Sequence, residues 1–205
     1  MSGAQPLNFA RTLPPEEAAR ANLYGVIARL FYAPPDEQLI SELQLAGEGD
    51  AADTSRLATA WRAMIDACRS AFPAALRDEH TVLFVGTGKS EISPYLSKYL
   101  ARHSSDNPLV ALRQLLDAWG VARREGVPEY EDHIAGVCET MRFVIAVQQR
   151  PPEEQKILFD RFLYDGAIGF CSAVNASKDA RFYRLVASFA QAFLEVEKTA
   201  FEMMG

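Results

Sequence analysis

Apolar residues recur at three- and four-residue spacing in segment after segment of this chain, and proline or glycine ends most of the runs. A period near 3.6 puts such residues on one face of a helix, so the pattern calls for amphipathic helices packed against one another. Composition points the same way. Ala occurs 31 times against 20 for Val and Ile together, a bias toward helix formers over the β-branched residues that suit strands. The expected fold is all-α, a single globular domain of about eight to ten helices with an irregular central loop segment.

The first helix is expected from about Pro15 to Tyr32, striped by Leu23, Val26, Ile27, Leu30 and Phe31 and stopped by Pro34-Pro35. Asp36 caps a short helix through Leu45, and Gly47 to Asp50 reads as a loop before a helix bearing Leu57, Trp61, Met64, Ile65 and Cys68. A short helical piece spans Val82 to Val85. After Gly86 and Gly88, Pro94 is expected to start another piece with Tyr95 and Tyr99 on one face. Leu109 to Trp119 forms the next helix, closed by Gly120. Glu129 to Gln149 follows, then a helix from Pro151-Pro152 to about Val174, and a last one striped by Phe182, Leu185, Val186, Phe189, Phe193 and Val196. Ser104 to Pro108 is a good loop and a possible sub-boundary within the domain.

With 205 residues, 49% of them hydrophobic, the chain can bury a real core, and no apolar run reaches the roughly 18 residues that span a bilayer. Lys plus Arg is 21 and Asp plus Glu is 27, a formal charge of −6 that argues against a nucleic-acid binder and suits a basic peptide. Met1 to Phe9 lacks the basic and apolar regions of an export signal. Cys68, Cys138 and Cys171 are widely spaced and odd in number, as reduced core thiols of a cytoplasmic protein would be.

Gly86-Thr87-Gly88-Lys89-Ser90 ends like a phosphate-binding loop, which makes a GTP-binding protein the alternative reading. The full motif needs a glycine where Leu83 stands, a strand before it and a long helix after it, and Pro94 follows Lys89 too closely. The bland reading is a turn with an exposed lysine. Asp132-His133 opens a helix, where a carboxylate ordinarily serves as a cap, although a carboxylate beside an imidazole also suggests an acid–base pair. His80, His103 and His133 stand at no metal-ligand spacing, and nothing calls for a cofactor.

Taken together, Leu83-Phe84-Val85-Gly86, then Pro94-Tyr95-x-Ser97-x-Tyr99, then Glu129-x-x-Asp132-His133-Ile134-Ala135 resemble the signature of the TorD/DmsD family of cytoplasmic chaperones for molybdenum-containing oxidoreductases. The resemblance extends to the opening Leu-Tyr-x-x-x-Ala-x-Leu-Phe-Tyr run with its Pro-Pro, and to the Phe-Tyr at the last helix. It implies an all-helical fold without enzymatic activity that holds a client apoprotein and its twin-arginine signal peptide until molybdopterin is inserted. Carried onto this chain, it makes Leu83, Phe84, Pro94 and Tyr95 the apolar half of a peptide site, with Asp132 and His133 the polar half. Ser97, Tyr99 and Glu129 match the motif and read equally as scaffold. Tyr95 stands where some members have Trp, Tyr130 where many have Pro, and His80 where the family often has an aromatic residue. The loop Thr87 to Ser93 is similar to members that serve formate dehydrogenases. A monomer and a helix-swapped dimer are both compatible with the long helices and the loop before Pro108.

Overall fold

Residues 13–47, 49–85, 90–100, 107–123, 125–126 and 128–204 are described by the structure, a computed structural model. Helix α1 (Pro15–Tyr32) begins with a proline, whose missing N–H is unneeded in a first turn, and stops before Pro34-Pro35. In α2 (Glu37–Ala46) the Asp36 carboxylate accepts the Leu39 N–H at 2.8 Å. Ser55 caps α3 (Arg56–Arg69) in the same way. Helix α4 (Pro73–His80) runs into a π-helical turn, Thr81–Val85. A single turn, α5 (Ser97–Leu100), precedes α6 (Pro108–Ala118) and α7 (Ile134–Ala146). Helix α8 (Pro152–Leu158) continues through a second π turn, Phe159–Leu163, into α9 (Tyr164–Ala176), and α10 (Phe182–Met203) follows. No strand occurs among the described residues.

Helix α1 packs along α7, and α10 lies between α3 and α9. At the centre, the rings of Phe31 and Phe170 approach to 4.9 Å and those of Phe84 and Tyr183 to 5.0 Å, edge to face in both cases. Cys68, Cys138 and Cys171 are free and buried in this core, where burial pushes the Cys68 thiol up to about 11 and Cys171 to about 12. The N-terminus of α10 has no cap of its own. Glu79, on α4, supplies one: its carboxylate accepts the N–H groups of Arg181, Phe182 and Tyr183 at 2.8, 3.2 and 2.9 Å.

Two glycines on α9 decide how closely α5 approaches. A Cβ on Gly166 would lie 2.9 Å from the Leu96 Cβ, and one on Gly169 would lie 3.0 Å from the Tyr99 ring. Only bare backbone at both positions lets the turn from Leu96 to Leu100 sit against α9.

Three expectations are corrected by tertiary contacts. Pro94 starts no helix: residues 94–95 are extended, because Tyr95 forms an isolated antiparallel bridge with His133. Tyr95 and Tyr99 therefore share no helix face. Helix α7 starts at Ile134 and not at Glu129, so Glu129 to Asp132 belong to a loop. On α10, Val196 is half exposed while Glu197 is buried, since Arg20 donates to both Glu197 oxygens at 2.8 Å and the Tyr24 hydroxyl donates to one at 2.9 Å. Ser104 to Asp106 of the expected sub-boundary lie outside the described residues.

Candidate functional site

Two segments some 35 residues apart in sequence are fastened by their backbones. Ile134 N–H donates to the Pro94 carbonyl at 2.9 Å, and Leu96 N–H donates to the Asp132 carbonyl at 2.8 Å. The Asp132 carboxylate extends the clip by accepting from both the hydroxyl and, at 3.4 Å, the N–H of Ser97. Its other oxygen, Oδ1, is buried without a partner. At the start of α7, His133 Nδ1 accepts the Ala135 N–H at 3.1 Å, which assigns the proton of the neutral ring to Nε2. Burial holds the His133 pKa below its ordinary value, against the pull of Glu129 and Asp132. The ring is therefore neutral near pH 7. Asp132 and His133 do not bond to one another, so the acid–base pair suggested by their adjacency has no geometry here.

Beside this clip lies a cleft of about 690 Å³ between the end of α1, α6 and the first half of α7. Leu116 and Phe143 contribute an apolar wall, and Tyr32, Tyr130, His133 and Glu129 contribute rings and charge. Tyr95 stands behind them. Its ring meets His133 at 5.5 Å and Tyr130 at 5.9 Å, and its hydroxyl donates to the Glu129 carboxylate. Burial first, and then that hydrogen bond, push the Tyr95 hydroxyl pKa well up, so it stays a donor. Gly136 keeps the loop close, since a Cβ there would lie 3.2 Å from the Glu131 carbonyl.

Of the nine residues singled out from the sequence, Glu129 and His133 line the cleft. Pro94, Tyr95, Ser97 and Asp132 form the clip behind it. Tyr99 turns to α9, with its hydroxyl on the Ser93 carbonyl at 2.9 Å and its ring 6.3 Å from Phe170. Leu83 and Phe84, expected in the apolar half of a peptide site, have their side chains in the core and line no part of the cleft: Leu83 is fully buried and Phe84 packs on His80, Phe31 and Tyr183. Gly86 to Lys89 lie outside the described residues, but the segment before them is a π turn and not the strand a phosphate loop requires. Tyr32, Tyr130, Leu116 and Phe143 escaped the sequence reading. The available signal was Tyr130 itself, a large aromatic in a polar loop, which is 55% exposed.

Among the described residues no group of His, Cys, Asp and Glu is arranged to hold a metal ion, and no helix is long and apolar enough to cross a membrane. No curated protein matches the chain. A solved structure described as that of a redox enzyme maturation protein from Archaeoglobus fulgidus shares its fold. The TM-score is 0.55 at 17% identity, over 93% of this chain and 99% of that one. The family model for the nitrate reductase delta subunit matches residues 50–163, which include the clip, Glu129 and much of the cleft wall. With more than half its length matched by that model, the chain belongs to the nitrate reductase delta subunit family, the TorD-like chaperones of redox enzyme maturation.

Proposed function

We propose that the protein binds the twin-arginine signal peptide and apoprotein of a molybdopterin-dependent oxidoreductase in the cytoplasm, assisting cofactor insertion and delaying export. It does so by binding, with no reaction of its own. The observation that carries this reading is a carboxylate that, among the described residues, has no cation bonded to it, beside an apolar cleft. Among the described residues the Glu129 carboxylate accepts from the Tyr95 hydroxyl and its main-chain carbonyl accepts from Arg123, while Leu116 and Phe143 lie across the cavity. A twin-arginine signal offers guanidiniums followed by an apolar stretch, which is the complementary chemistry. The formal charge of −6 favours encounter with such a peptide.

Calorimetry with a signal peptide, first from a formate dehydrogenase, tests the proposal. Glu129→Gln should weaken binding by about 1.5–3 kcal/mol, roughly ten- to a hundredfold, as expected for loss of one charge-assisted contact. Its melting temperature should change little, because Glu129 is only half-buried. A variant that binds as the parent does, or a parent that ignores twin-arginine peptides of every client class, sinks the proposal.

A further inference from the structure

The cleft wall that carries Leu116, Gly120 and Val121 belongs to the end of α6, and a strut from the end of α7 meets it from outside. Helix α6 closes at Trp119, and Gly120, at φ 65°, turns the chain away. Carbonyls at such an end lack partners within the helix. That of Trp119 accepts from two side chains, Gln148 Nε2 and Arg150 Nη2, each at 3.1 Å. The Arg150 guanidinium also lies over the Trp119 ring, with its carbon 4.7 Å from the centroid. A cation there suits the negative end of the α6 dipole as well. Trp119, Gln148 and Arg150 do not border the cavity; they stand behind its wall.

Arg150 is held more firmly than one surface ion pair requires. Its Nε donates to Gln148 Oε1 at 2.6 Å and its Nη1 to Glu154, so every nitrogen of the guanidinium is engaged. Its backbone is fixed as well: the N–H donates to the Val144 carbonyl at 2.9 Å, and the carbonyl accepts from Gln155 Nε2 at 2.8 Å. Just before it, Gln149 sits at φ 49°, the one non-glycine residue at positive φ among those described. Side chains disfavour that conformation, which persists where the surroundings enforce it. The strut reaches both apolar walls. Phe143, on the α7 side, accepts the Gln148 N–H at 3.1 Å through its carbonyl, and Leu116, on the α6 side, stands three residues before Trp119.

We infer that Arg150 is a positioning residue for the cleft: stacked on Trp119 and bonded to its carbonyl, it fixes the 116–121 wall against the end of α7 and so sets the gap between Leu116 and Phe143. The consequence for a client rests on the proposed peptide-binding function: affinity depends on a residue that the peptide does not touch.

The test reads the wall and the peptide separately. The Gly120 and Val121 N–H groups donate to the Asp117 and Leu116 carbonyls. In Arg150→Met these two amides should exchange about tenfold faster, while amides in the centre of α10 keep their protection. Arg150→Lys keeps a charge beside Glu154 but loses the flat fork, and should resemble Arg150→Met. Glu154→Gln leaves the Trp119 contacts in place and should resemble the parent. Should Arg150→Met lose protection in α10 too, Gln148→Ala removes one of the two donors to the Trp119 carbonyl, with about threefold faster exchange expected at the same amides. Calorimetry with a twin-arginine signal peptide of a formate dehydrogenase reads the consequence. Affinity should fall about five- to tenfold in Arg150→Met and in Trp119→Leu, and no further when the two are combined. Unchanged exchange at Gly120 and Val121, or parent-like exchange in Arg150→Lys, overturns the inference. Faster exchange with parent-like peptide affinity overturns the role in client binding and leaves the peptide-binding reading standing. Faster exchange in a protein whose parent form binds no twin-arginine peptide supports Arg150 as the positioning residue of the wall and overturns that reading.

Discussion

Replacing Gly166 with alanine should loosen the cleft without unfolding the protein. In a helix interior the change gains about 1 kcal/mol of intrinsic propensity. The new Cβ, however, lies 2.9 Å from the Leu96 Cβ and 3.3 Å from the Leu96 carbonyl oxygen and the Leu100 Cγ, so something must move. Overpacking of this kind costs about 1–3 kcal/mol. The two effects leave a net loss of about 1 kcal/mol, roughly 2–4 °C in melting temperature for a chain of this size. The strain is directional. Leu96 is the residue whose N–H donates to the Asp132 carbonyl at 2.8 Å, so pushing it off α9 pulls the 94–97 segment away from 132–134. Hydrogen exchange at the Leu96 and Ile134 amides should therefore quicken by roughly 5–30-fold, equivalent to 1–2 kcal/mol of local opening, while amides in the centre of α10 keep their protection. A melting temperature that rises by several degrees with unchanged Leu96 protection would falsify the argument, showing that propensity outweighs the contact and that the glycine is no part of the site's support.

The remaining predictions concern stability. Glu79→Ala should cost about 2–3 kcal/mol in urea unfolding, since three N–H groups of α10 lose a charged acceptor, while Asp78→Ala on the exposed side of the same helix should stay within about 0.5 kcal/mol; equal effects would remove the capping role. Burial holds both His80 and His133 below their ordinary value of 6.5. As pH falls the unfolded chain takes up these protons before the folded one, so their contribution is fully present above about pH 6.5 and is lost progressively below it. The slope of unfolding free energy between pH 7 and 5 should be shallower in His80→Phe, and an unchanged slope would count against a buried neutral His80.

What could be read from the sequence was whatever neighbours in sequence determine. Pro15, Pro34-Pro35 and Asp36 delimit α1 and α2 through backbone sterics and a local cap, and the structure has those boundaries within a residue. What could not be read depends on distant partners. Pro94 has the local credentials of a first helical residue, yet two backbone hydrogen bonds to the segment at 132–134 hold it extended. Glu197 has the chemistry of a solvent-facing residue, yet it is buried on the face of α10 that carries Phe193 and Phe201, where Arg20 and Tyr24 on α1 satisfy its carboxylate. Gly166 and Gly169 carry no sign that another helix rests on them. The motif residues were legible as a group, but not their separation into a buried clip, a core pair and a cleft edge.

That separation bears on how the Glu129-x-x-Asp132-His133 segment works. Asp132 is 4% exposed, and one of its carboxylate oxygens accepts from Ser97 while the other has no partner. Leaving a buried acceptor unmade costs about 1–3 kcal/mol, of the same order as a charge-assisted bond contributes, so Asp132 adds little net stability. What it does add is position. It ties Ser97, and with it Tyr95, to the start of α7, and Tyr95 in turn orients Glu129 through its hydroxyl. A carboxylate so deeply placed is a poor receiver for a mobile side chain, because a guanidinium reaching it would have to shed its hydration and open the clip. Glu129, three residues earlier on the cleft edge, has neither obstacle. Under the proposed function, burial thus divides one short motif into a fastener and a receiver, and a loss of client binding on altering Asp132 would report the displacement of Tyr95 and Glu129 and not a lost contact with Asp132 itself.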